Sequence, residues 1–319
     1  MNIKMRYLAS KKFRLSDSYF DGHVHSVFHS VVNLRLHTQD LLTVIANKSD
    51  LNSPRYIAIE TLDDVDFTKL ISHGQPLSCR GEVIRFSGSR ISIDLRFAAK
   101  EKKSFVKSKK SFLEKKINTN WKIAWNFLLD IKKKEGLALA LDDKQSVDLF
   151  HRSLIARTQK IIPQLLMSIQ TKNIGLAKNG GQKLLGLGPG LTPSGDDFLL
   201  GFIVGSRASV REEEHRVFLN NFGHHLKNQK SNSVDISLDQ LNSVISGRCS
   251  YPITDLCNSI LNCDGKDKIN YEFNKCLDLG HSSGMDSTFG LLCGMVAWKK
   301  ELANLIIDEI KMPIKALET

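Results

Sequence analysis

In the run Ile91-Ser92-Ile93-Asp94-Leu95-Arg96-Phe97, apolar and polar side chains alternate without a break, the period of a strand with one face buried. Val83–Phe86 precedes it across Ser87-Gly88-Ser89, which predicts a hairpin. Leu41–Ala46 and residues 56–59 read as further strands, and residues 23–37 as one long strand or a bent pair. From Trp121 onward the spacing changes. Trp121, Ile123, Ala124, Phe127, Leu128 and Ile131, then Val147, Leu149, Phe150, Leu154 and Ile155, recur at helical intervals. The expected fold class is α+β, with an N-terminal antiparallel β domain (a sheet or small barrel) over 1–98 and a mainly helical domain over 119–319. A lysine-rich linker over 99–118, with few residues able to anchor a core, separates the two.

Length fits two domains: 319 residues at roughly 150 per domain. A 41% hydrophobic and 25% charged composition excludes wholesale disorder. No run of about 18 apolar residues occurs, and the basic start lacks the apolar centre of a secretory signal, so no membrane association and a cytoplasmic location are expected. Of the net charge of +11, residues 100–134 supply +9, from twelve lysines against Glu101, Glu114 and Asp130. So local an excess reads as a solvated linker or helix face, or as a dock for an acidic partner, rather than as a nucleic-acid surface. The stretch holds no Arg, the usual reader of bases, which further disfavours nucleic acid. Six cysteines without a C-x-x-C pair read as reduced packing thiols.

The candidate chemistry is concentrated in Gly186-Leu187-Gly188-Pro189-Gly190-Leu191-Thr192-Pro193-Ser194-Gly195-Asp196-Asp197. Gly186, Gly188 and Gly190 allow positive φ and inward-turned N–H groups, a geometry suited to a small anion. Thr192 or Ser194 can cap the following helix, with Asp197 completing a capping box. No Gly-Lys-Ser/Thr follows, so this is no Walker loop, and the glycines do not fit the dinucleotide fingerprint. Asp196 and Asp197 at such a mouth would repel phosphate unless a cation intervened, and Mg2+ is the natural candidate. The alternative is that they serve only the helix dipole.

A second stretch repeats the pattern. Ser194-Gly195-Asp196-Asp197-x-x-x-Gly201-x-x-x-Gly205 and Ser283-Gly284-Met285-Asp286-x-x-x-Gly290-x-x-x-Gly294 both read S-G-x-D-x-x-x-G-x-x-x-G. Residues four apart share a helix face, so each motif carries an Asp-Gly-Gly seam. The two helices are expected to pack together and bring their N-terminal turns to one pocket, with His281 and Ser282 at its rim. Two ordinary tight-packing helices with acidic caps would show the same pattern. The candidate catalytic residues are Asp196, Asp197, Asp286 and His281, and the three aspartates are the candidate metal ligands. Gly186, Gly188, Gly190, Thr192, Ser194, Gly195, Ser282, Ser283 and Gly284 are the candidate substrate-binding residues. If the first strand is continuous, His23, His25, His29 and His37 share a face on which an H-x-H pair could chelate a metal.

The glycine loop and His281-Ser282-Ser283-Gly284-Met285-Asp286 resemble the motifs of a bacterial family that includes the AllH-type subunit of oxamate carbamoyltransferase. Val24-His25-Ser26-Val27-Phe28 matches its V-x-S-x-F segment, while Ser233-Val234-Asp235-Ile236-Ser237 lacks the threonine of its T-x-x-I-S segment. The resemblance implies a subunit of a multi-subunit enzyme that moves a carbamoyl group between oxalurate or oxamate and phosphate in allantoin and purine catabolism. It implies other subunits of that complex as partners and leaves open which subunit carries the chemistry. The residues by themselves fit an anion-cradling loop for carbamoyl phosphate, phosphate or a small carboxylate. A stand-alone metal-dependent enzyme on a small anionic substrate and a non-catalytic ligand-binding regulatory subunit remain as alternatives.

Overall fold

The computed structural model describes residues 6–9, 19–38, 41–46, 56–60, 65–95, 98–100, 114–142, 148–190, 192–229, 233–247, 249, 251–262 and 264–311. The chain divides into two compact units, residues 1–104 and 105–319. The first holds nine strands among the described residues: β1 (Arg6–Ala9), β2 (Phe20–Val27), β3 (Val31–Leu36), β4 (Leu41–Ala46), β5 (Tyr56–Glu60), β6 (Pro76–Arg80), β7 (Val83–Phe86), β8 (Ser92–Asp94) and β9 (Ala98–Lys100). They form one sheet in the order β8-β7-β6-β2-β3-β4-β5-β1-β9. The six strands from β8 to β4 are antiparallel neighbours. Beyond them the sheet is mixed, since β5 runs parallel to β4 and β9 parallel to β1.

The alternation read in the sequence is the one the sheet uses. Ile93 is fully buried between half-buried Ser92 and Asp94, and Val83 to Arg85 pair with Asp94 to Ser92 as the hairpin requires. Residues 23–37 form the bent pair, β2 turning into β3, with a bulge between Val24 and Ser26. His23 and His25 therefore lie on β2, His29 in the turn and His37 beyond β3, so the continuous strand that would align four histidines does not form. Next to the bulge, the Ser26 hydroxyl accepts a 2.9 Å hydrogen bond from the Asn33 amide, whose oxygen accepts one of 2.7 Å from the Thr43 hydroxyl. Buried polar groups must be paired in this way, and the chain ties β2, β3 and β4 side by side.

The second unit is helical: α1 (Glu114–Asp130), α2 (Leu149–Gln170), α3 (Ile174–Leu184), α4 (Ser194–Ser209), α5 (Glu213–Lys227), α6 (Asp235–Ile245), α7 (Tyr251–Asn262), α8 (Lys266–Leu277), α9 (Ser283–Val296) and α10 (Lys300–Lys311). A short 3-10 segment, Gly136–Leu141, follows α1. At its centre, every residue of α9 from Gly284 to Val296 is buried, and α4 is buried almost as completely. Helices apolar all round belong in an interior. Trp121 and Trp125 of α1 stack on one another in this core, and the Trp121 indole N–H donates to the Leu292 carbonyl at 2.9 Å. Among the described residues no helix is long and apolar enough to cross a membrane.

Within the lysine-rich stretch, residues 101–113 lie outside the described residues, and α1 begins at Glu114. Lys134 is no solvated side chain. It is 7% exposed, and its ammonium donates to the Leu129 and Ile131 carbonyls at 2.9 and 3.0 Å, capping the end of α1. Lys134→Met keeps the apolar stem but strands those carbonyls. It should cost about 1–3 kcal/mol in urea unfolding, whereas Lys133→Met, at a largely exposed site, should be near neutral.

Among the described residues Cys79, Cys249, Cys257, Cys276 and Cys293 form no disulfide, and burial raises the thiol of Cys79 to about 11. Burial likewise raises those of Cys257, Cys276 and Cys293. Such thiols pack rather than react.

Candidate functional site

The repeated motif brings α4 and α9 into backbone contact. A Cβ on Gly201 would lie 1.9 Å from the Ser287 carbonyl oxygen, and one on Gly205 2.2 Å from that of Leu291. In return, one on Gly290 would lie 1.9 Å from the Phe198 oxygen, and one on Gly294 2.1 Å from that of Phe202. Each glycine meets the counterpart of the residue that its own counterpart meets, so the two helices run parallel about a local two-fold. The turns before them match as well. Gly195 presses on the Leu184 carbonyl at the end of α3, and Gly284 on the Cys276 carbonyl near the end of α8.

Parallel packing sets both N-terminal turns side by side. The Thr192 and Ser283 hydroxyls are 2.8 Å apart. The Ser283 hydroxyl also bonds to Asp197, and the Ser194 hydroxyl crosses the other way to Asp286. No capping box forms, because α4 starts at Ser194 after Pro193 without a side-chain cap, and the Ser194 hydroxyl is drawn to the opposite helix instead. Asp286 is wholly buried. One of its carboxylate oxygens accepts a 2.7 Å hydrogen bond from the Leu137 N–H, and the group packs against Gly136, where a Cβ would come within 2.2 Å of it. Gly136 and Leu137, at the start of the 3-10 segment, are site residues that sequence spacing could not have found.

Burial pushes the Asp286 carboxyl up to about 7 against the Ser194, Leu137 and Ser282 hydrogen bonds that favour its ionised form. Burial also raises Asp197 well above the ordinary carboxylate range, with the nearby Asp286 and Asp196 charges adding to it. Among the described residues, Asp197 Oδ2 and Asp286 Oδ2 are buried without a hydrogen-bond partner. Those are the oxygens that a proton or a cation such as Mg2+ would take. Among the described residues, however, no group of three or more His, Cys, Asp or Glu side chains could hold a metal ion.

Asp196 faces the other way. It accepts from the Gly186 N–H at 2.8 Å and from the Ser233 hydroxyl, so it braces the base of the glycine loop against the segment leading into α6. Burial raises this carboxyl too, and those hydrogen bonds oppose the rise. Ser233 opens the 233–237 segment singled out in the sequence, and the contact joins it to the loop. His281 is 85% exposed, with its Nδ1 2.9 Å from a Glu135 carboxylate oxygen. Ser282 is half-buried at the cap of α9.

The loop itself takes positive φ at Gly186, Gly188 and Gly190. At Gly188, with φ +100, a Cβ would also crowd Ser194 at 3.0 Å, so any other residue there is strained. The N–H groups of Gly186 and Leu187 are used internally, to Asp196 and the Leu184 carbonyl. Among the described residues those of Gly188 and Gly190 have no protein acceptor. The outer side of the loop lines a cleft of about 310 Å3, faced by Phe150, Ser153 and Arg157 of α2 and by Lys183 of α3. None of the three aspartates lines it.

Residues 184–295 match a family described as oxamate carbamoyltransferase subunit AllH, and residues 3–101 match the AllH family N-terminal domain. Neither a curated protein nor a solved structure matches the chain.

Proposed function

Because the chain belongs to the AllH family of oxamate carbamoyltransferase subunits, we propose that it supplies the small-anion-binding part of a complex that moves a carbamoyl group between oxalurate and phosphate. In that reaction the bond from the carbamoyl carbon to the oxamate nitrogen breaks and one to a phosphate oxygen forms, giving oxamate and carbamoyl phosphate. Such a step suits allantoin and purine catabolism. The observation that carries the reading is the glycine loop at 186–190, with positive φ at its glycines, inside the segment matched to the AllH family. Transfer between two anions needs their charges offset and a proton managed at the departing nitrogen. Asp197 and Asp286, paired crosswise with Ser283 and Ser194 behind the loop, each keep one buried oxygen for a proton, or for a Mg2+ ion in its stead, and act on the loop from its inner side. Asp196 positions the loop, and His281 with Ser282 forms the rim.

Capture of the tagged chain should bring down further carbamoyltransferase subunits. Carbamoyl phosphate should form from oxalurate and phosphate with the assembled complex and not with the chain alone. Full turnover by the isolated chain would make it a stand-alone enzyme instead. A stable complex whose transfer is unaffected by Gly188→Val would remove the loop from the reaction.

A further inference from the structure

We infer that the cleft on the outer face of the glycine loop is a phosphoryl site, in which Arg157 and Lys183 neutralise the dianion and the Gly188 N–H and Ser153 hydroxyl complete the cradle, without a metal ion. The inference rests on the small-anion reading of the loop and adds the residues and the ligand class. Phe150, Ser153, Leu154 and Arg157 are spaced i, i+3, i+4 and i+7 along α2, one helical stripe, and all four line the cleft opposite the loop. Lys183, in the last turn of α3, lines the same cleft.

Two cations without a carboxylate partner meet in this cleft. Lys172, Arg211, Arg216 and Lys268, by contrast, each have one. Among the described residues, Arg157 and Lys183 have none, and no carboxylate lines the cleft. A guanidinium fork beside a compact ammonium matches a tetrahedral dianion, which takes one charge from each. The Gly188 N–H, without an acceptor among the described residues, adds a fixed donor. At about 310 Å3 the cleft is at the small end of ligand sites, sized for a small metabolite rather than a nucleotide. Phe150 and Leu154 give an apolar wall for whatever uncharged part the phosphoryl group carries. The sequence raised the difficulty that adjacent carboxylates would repel phosphate. The fold answers it by turning Asp196, Asp197 and Asp286 inward, away from the cleft.

The test is titration of the purified full chain with inorganic phosphate, followed by calorimetry and phosphorus NMR line broadening, with oxamate as a second probe. Phosphate should bind in EDTA. Arg157→Gln and Lys183→Gln should each weaken it by about tenfold or more. Lys160→Gln, on α2 but outside the cleft lining, should leave it unchanged. Both cleft positions are exposed, so the variants should fold, and unchanged far-UV spectra and melting temperatures would verify it. Phosphate binding that survives the Arg157→Gln/Lys183→Gln double variant, or that needs Mg2+, would overturn the inference while leaving the loop as the anion site. So would oxamate binding that depends on these two residues with none for phosphate. If neither anion binds the wild-type chain, the small-anion reading fails together with it.

Discussion

Gly201→Ala should destabilise the helical unit by about 2–3 kcal/mol, and Gly201→Leu should prevent it from folding. The added Cβ would lie 1.9 Å from the Ser287 oxygen and 2.8 Å from the Leu291 nitrogen. Both are backbone atoms of a buried helix, so neither can swing aside as a side chain would. The helices must move apart, and separation opens gaps along the rest of the seam. The local two-fold makes Gly290→Ala, facing the Phe198 oxygen at 1.9 Å, an equal test. Gly175→Ala in α3 is the control. Its Cβ would have only the Asn173 side chain near it, at 3.5 Å, so it should be neutral or gain up to about 1 kcal/mol of helix propensity. Urea unfolding followed by far-UV circular dichroism measures all three. A Gly201→Ala chain as stable as wild type would mean that the seam does not hold the unit together.

The seam shows why part of this fold could be read in advance. Spacing of four on a helix fixes a face, and glycine at Gly201, Gly205, Gly290 and Gly294 leaves only close backbone contact as a reason for the face. The β7–β8 hairpin was legible for a similar reason, since strict alternation has one geometric meaning. Parallel pairing of β4 with β5 was not, because strand direction depends on a connection that no local pattern encodes. The site divides in the same way. The loop, Asp197 and Asp286 announced themselves as motifs, whereas Gly136 and Leu137 meet Asp286 only through tertiary packing. Phe150 and Leu154 were legible as part of a helical period, but not Ser153 and Arg157 on the same stripe, nor the loop across the cleft. The capping box failed because two serines, each suited to its own helix, found a buried carboxylate on the other. A local rule gave way to a stronger tertiary demand.

Wild-type stability should fall as pH rises from about 4 to above 7, and Asp286→Asn should remove much of that fall. The folded chain holds the Asp286 proton up to about pH 7, while the ordinary carboxyl value for the unfolded chain is 3.8. Between those values the folded state binds more protons than the unfolded state, so each pH unit lowers the unfolding free energy by about 1.4 kcal/mol, to a total of roughly 4 kcal/mol. Below the lower value both states are protonated and the contribution is complete. Asp197, raised in the same direction, should add to the slope. Asn has the size of Asp, can accept from the Leu137 N–H through its carbonyl, and carries no titration. Asp286→Asn should therefore be close to wild type near pH 4.5 and more stable than it at pH 8 by about 2–4 kcal/mol. Urea unfolding from pH 4.5 to 8.5 checks this, and parallel curves for the wild type and the Asp286→Asn variant would show that the group does not titrate as its burial requires. A chain that keeps two buried carboxylates at such a cost at neutral pH keeps them for something other than folding. The same variant, built into the assembled complex, should then be the more stable protein and the poorer carbamoyltransferase.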